Sequence, residues 1–64
     1  MKLWIARDMD GALTLFEDKP YKNQIMPGLF ESYSNEYLID SELFPEITFE
    51  NSPQQVELKL IEGK

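Results

Sequence analysis

Sixty-four residues with twelve acids, six bases and neither cysteine nor histidine make one small domain and exclude a disulfide framework or a thiolate zinc site. A chain this short buries only about 60% of its extended surface, so little core is free to wall a deep pocket, and self-association as a homodimer is the cheapest added stability. No apolar run approaches about 20 residues, and the run Leu3–Ala6, cut short by Arg7 and Asp8, is too brief for a secretory core, so no membrane contact and a cytoplasmic location are expected.

A hydrophobic share of 42% with eight aromatics argues for a folded domain. Leu3–Arg7 and Ala12–Glu17 are runs of β-formers separated by Asp-Met-Asp-Gly, a hairpin signal. A three-residue loop, Met9-Asp10-Gly11, with Gly11 in the left-handed region, sets Ile5 opposite Leu15 and Arg7 opposite Leu13. Leu3, Ile5, Leu13 and Leu15 then share one face, and Trp4, Ala6, Thr14 and Phe16 the other. A two-residue loop, Asp10-Gly11, would pair Ile5 with Phe16 and mix the apolar sets. In this hairpin Asp8 and Asp10 are turn residues that accept hydrogen bonds from nearby amides.

Glu17–Pro20 reads as a turn and Tyr21–Met26 as an irregular third strand. Pro27-Gly28 signals a type II turn. Leu29–Tyr33 and Glu36–Ile39 flank Ser34-Asn35 as a second hairpin. Asp40 or Ser41 caps a helical turn over Glu42-Leu43-Phe44, which Pro45 ends. Ile47–Asn51 is a brief extended piece. Ser52-Pro53-Gln54-Gln55 has a capping-box pattern and opens one more helical turn. From Val56 the chain alternates strictly, so a C-terminal strand is expected over 56–61, with Val56, Leu58 and Leu60 facing the core. The expected fold is mostly β: a small single-domain antiparallel sheet with a hairpin at 3–17, weaker middle strands, the strand at 56–61 and one or two short helical turns. The alternative is α+β.

Leu3–Ala6 followed by Asp8-Met9-Asp10-Gly11 resembles the first motif of the haloacid dehalogenase-like phosphatases, a strand leading into Asp-x-Asp-Gly. That resemblance implies Asp8 as nucleophile, Asp10 as acid and base, and a magnesium ion beside them. It covers about a dozen residues, and Ala12 departs from the Thr or Val expected there. The family fold needs crossover units of about 30 residues each, which short turns cannot supply, so the match is set aside. The loop also begins like an EF-hand, yet Leu13 and Lys19 stand where Gly and Glu are required. With no histidine base and no cysteine nucleophile, the chain is read as not an enzyme. No catalytic, cofactor-binding or metal residue is assigned.

The charge is uneven. Residues 1–22 hold four bases and four acids, whereas residues 23–64 hold two bases and eight acids. The acidic half is a poor surface for nucleic acid. The densest unusual segment is Leu43–Pro53, "LFPEITFENSP", where Glu42, Glu46 and Glu50 surround an aromatic anchor at Phe49. Large apolar residues in small domains are mostly core, but this pattern also fits an interface. Trp4 and Phe16 join it if only one sheet face is covered. The favoured reading is an accessory protein that acts through protein–protein contacts at Trp4, Phe16, Glu42, Glu46, Phe49 and Glu50, with a basic protein as partner. The runner-up is a small nucleic-acid-binding β domain, in which Trp4, Phe16 and Tyr21 stack on bases beside Lys19 and Lys22. "LWIARDMDGALTLFEDKP" together with "LFPEITFENSP" resembles short proteins of gut anaerobic bacteria and their mobile elements. That resemblance spans most of the chain, implies a bacterial context and carries no activity or cofactor.

Overall fold

A computed structural model describes residues 1–59. Among these residues there are six strands, β1 (Lys2–Arg7), β2 (Leu13–Phe16), β3 (Tyr21–Lys22), β4 (Phe30–Glu31), β5 (Glu36–Ile39) and β6 (Gln54–Glu57). Four form one antiparallel sheet in the order β5-β2-β1-β6, and β3 pairs with β4 in a separate two-stranded ribbon. Every pairing is antiparallel, so none of the parallel crossovers that the phosphatase motif implies is present among the described residues.

The first hairpin follows the expected register. Ile5 faces Leu15 and Arg7 faces Leu13. The Asp8 amide donates to the Ala12 carbonyl at 2.8 Å and the Gly11 amide to the Asp8 carbonyl at 3.0 Å. The loop therefore has three residues, Met9-Asp10-Gly11. Gly11 has a φ of +99°, where an L-residue would be strained.

The sheet buries both faces. On the first, Ile5, Leu13 and Ile47 form a buried cluster against Leu15, Ile39 and Val56. On the second, Ala6, Phe16 and Phe30 pack with Trp4 and Phe49. The β3–β4 ribbon is an excursion between β2 and β5 that carries Phe30 onto the second face. It is tied to the hairpin tip by the Met9 amide donating to the Gly28 carbonyl at 2.8 Å and the Phe30 amide donating to Asp8 Oδ1 at 2.9 Å.

Three expectations about residues 21–39 are corrected. The third strand is only Tyr21–Lys22, because Asn23 leaves the ladder. Its Oδ1 accepts from the amides of Ile25 and Met26, both at 2.8 Å, and its own amide donates to Leu29. The second hairpin does not form. Phe30–Glu31 pairs back to Tyr21–Lys22, and Glu36–Ile39 lies along β2. The Met26–Leu29 turn closes at 3.0 Å, but Gly28 lacks the positive φ of a type II turn. Its missing Cβ is needed for closeness instead, since one would lie 3.1 Å from Met9 Cβ.

There is also no helix among the described residues. Asp40 does accept from Glu42 and Leu43, which closes the single turn expected there, but the turn is not helical. The Ser52 capping box fails because Gln54 and Gln55 are taken into the sheet beside β1. Strand β6 thus starts two residues early and ends at Glu57. Val56 packs on the first face, whereas Leu58 is exposed. Leu60, with the rest of the expected strand to 61, lies outside the described residues.

Candidate functional site

The segment between β5 and β6, residues 40–53, runs from one edge of the sheet to the other around its end. It sends Ile47 to the first face and Phe49 to the second. Three turns build it, closed by Leu43 to Asp40, Ile47 to Phe44 and Ser52 to Phe49. Thr48 and Asn51 exchange side-chain and main-chain bonds at 2.8 and 3.1 Å, and Asn51 Nδ2 donates to the Glu46 carbonyl at 2.9 Å.

Arg7 holds this strap to the sheet. Its guanidinium carries five N–H groups in a fixed planar fork, and each finds a carbonyl. Nε donates to Ile47, Nη1 to Gly11 and Ser41 at 2.8 and 2.9 Å, and Nη2 to Leu43 and Phe44 at 3.0 and 3.1 Å. The Arg7 main chain joins in, donating to Ser52 Oγ at 2.9 Å, and that hydroxyl donates to the Thr48 carbonyl at 2.6 Å. A saturated guanidinium is the physical account of how a segment without secondary structure keeps one shape. Nothing in the local sequence signals it. The acceptors are main-chain carbonyls, four of them 34 to 40 residues away.

Phe44 is the consequence. Its φ is +49°, uncommon for any side chain and a real outlier for a bulky one. It also precedes Pro45, a position biased toward extended backbone. Such a conformation costs on the order of 1–3 kcal/mol and persists only when its surroundings impose it. Here they do, through Arg7 on its carbonyl and the turn to Ile47. The ring is not buried in return, being 49% exposed.

Beside it lies an apolar groove of about 370 Å³ on the first face. Leu3, Ile5, Leu15, Ile47 and Val56 line it along with Phe44 and Leu58, and the polar lining is Glu46 and Glu57. Among the described residues no base lines it, although Lys59 Nζ lies 4.0 Å from Glu57.

The contact residues expected from sequence are divided by the sheet. Phe16 is 1% exposed and belongs to the core; the β3–β4 ribbon and Phe49 cover the face on which it was to be open, so it can neither meet a partner nor stack on a base. Trp4 is half-buried on that face, with Lys19 Nζ 5.5 Å from its ring centre. Phe49 is half-buried against Phe30 at 5.7 Å, with Lys22 Nζ 4.8 Å from its ring centre. Of the three glutamates, Glu46 borders the groove, Glu50 borders a different depression with Phe49 and Arg7, and Glu42 lies in the turn before Phe44. All three are exposed. The exposed aromatic of the segment is thus Phe44, which the sequence reading left out of the contact set. No local signal marks it, because a residue before proline is biased toward extended backbone and not toward positive φ.

Asp8 and Asp10 are both hydrogen-bond acceptors. Asp10 Oδ1 takes the Ala12 amide at 3.0 Å, two residues on, while Asp8 reaches across to Phe30. Partial burial pushes the Asp8 carboxyl above its ordinary 3.8. The Phe30 amide opposes that shift, and the Asp10 charge adds to it. Among the described residues, no group of three or more Asp or Glu is arranged to hold a metal ion, and no helix is long and apolar enough to cross a membrane. Comparison with family models, with curated proteins and with solved structures returned no match.

Proposed function

We propose that this chain is a non-enzymatic accessory protein that works by contact with another protein, and that the contact centres on Phe44 with Glu46 and Glu42. The observation that supports it is Phe44 itself. Strained backbone gathers where function needs a side chain presented, and an arginine with all five donors committed holds the main chain that leaves this ring half out of the surface. Aromatic anchors beside polar rims are what interface hot spots look like.

The test is site-specific photo-crosslinking. A photoreactive phenylalanine at position 44 should give one discrete protein adduct in a cell extract, lost when Glu46→Lys is added. The same probe at Tyr33, which is 95% exposed on another part of the surface, should give none. Equal labelling from both positions, or no adduct from position 44, counts against the reading.

A further inference from the structure

We infer that the groove beside Phe44 takes a short segment of a partner protein that carries one or two large apolar side chains flanked by lysine or arginine. This rests on the contact reading above and names what fills the site.

Size and lining argue for the side chains. A space of about 370 Å³ is at the low end of ligand-sized cavities. Its floor is aliphatic and its rims are Phe44 and Leu58, so a leucine- or phenylalanine-sized group gains most there. Charge argues for the flanks. Both polar lining residues are carboxylates, and the whole chain carries −6. Basic neighbours of the anchor would meet Glu46 and compete with exposed Lys59 for Glu57, whereas acidic ones would be repelled, which suppresses wrong partners. The same charge disfavours a second copy of this chain as occupant, because it brings −6 of its own. Preorganisation supports a short segment. The Phe44 main chain is already held by Arg7 and by the turn to Ile47, so its backbone ordering cost is not incurred on binding.

The experiment uses the full chain with labelled methyl groups and three short synthetic peptides: a leucine pair flanked by lysines, the same pair flanked by glutamates, and a serine pair flanked by lysines. The lysine–leucine peptide should shift the methyl signals of Leu3, Leu15 and Val56 saturably, and leave those of Leu38 and Ile25 unmoved. The glutamate and serine peptides should bind about tenfold more weakly or worse. Glu46→Lys should weaken binding by a similar factor, while Glu36→Lys on the β5 edge should change it by less than about twofold. Shifts centred elsewhere, equal binding of the glutamate peptide, or shifts driven by protein concentration alone would overturn the inference. If the peptide misses the groove while the position-44 adduct persists, the inference falls and the contact reading stands. If both fail, both fall.

Discussion

Arg7 and Asp8 sit side by side and work in opposite directions. Arg7 is half-buried and exchanges water for five carbonyls. Lysine would keep the charge but lose the fork. Arg7→Lys should therefore cost about 1–2 kcal/mol and Arg7→Met about 2–3 kcal/mol in urea unfolding, less than five separate charged hydrogen bonds because several of the freed carbonyls can be hydrated. Asp8 is a charge the fold tolerates at some cost. Its folded value is raised, so its contribution to stability is fully present below 3.8 and is lost as pH rises through the folded value. Asp8→Asn keeps an acceptor for the Phe30 amide without the charge. Its midpoint in thermal melts should equal or exceed that of the parent at neutral pH, and the advantage should vanish just below 3.8. An advantage that persists in acid would show that the charge is not its cause. Phe44 gives the sharpest contrast at this scale. Asparagine tolerates positive φ, so Phe44→Asn should hold or raise stability by up to about 1 kcal/mol while abolishing peptide binding. A loss of more than about 1 kcal/mol would make Phe44 a structural prop.

Among the elements, the first hairpin was the most legible in sequence because everything that decides it is local. Alternation in Leu3–Arg7 and Leu13–Phe16 sets two apolar faces, and one glycine sets the loop. Gly11→Ala should cost about 1 kcal/mol or slightly more. A Cβ there meets nothing within 4 Å, so the whole cost is conformational, and Gly11→Asn should recover part of it. The β3–β4 ribbon was not legible, because no local feature marks where the strand from Tyr21 ends or what it pairs with. Asn23 ends it, and Asp8 helps to place its partner strand through a bond to Phe30 that spans 22 residues. The strap was misread for a related reason. Its turns and caps were visible as single features, but the residue that gathers them lies on β1. The candidate site suffered likewise: Glu42, Glu46 and Glu50 are close in sequence, yet the strap turns them toward different neighbours.

Taken whole, the molecule is a four-stranded sheet with a thin apolar layer on each face, a two-stranded ribbon laid over the second, and a surplus of negative charge. The only ion pair among the described residues, Lys59 with Glu57 at 4.0 Å, is exposed at both ends and contributes little. Added salt therefore has little attraction to screen and a net charge of −6 to relieve. The melting temperature should rise between low and moderate sodium chloride, and a fall would point to attractive pairs that carry real stability. Because the strap passes from the first face to the second, it couples the two layers. Displacing the main chain at Phe44 breaks its carbonyl's bond to Arg7 Nη2. That makes the Arg7 Nε proton, bonded to Ile47, a built-in clock. Its exchange with solvent, followed by NMR on an otherwise unmodified chain, times the opening of the strap, and a bound peptide that presses on Phe44 should slow it.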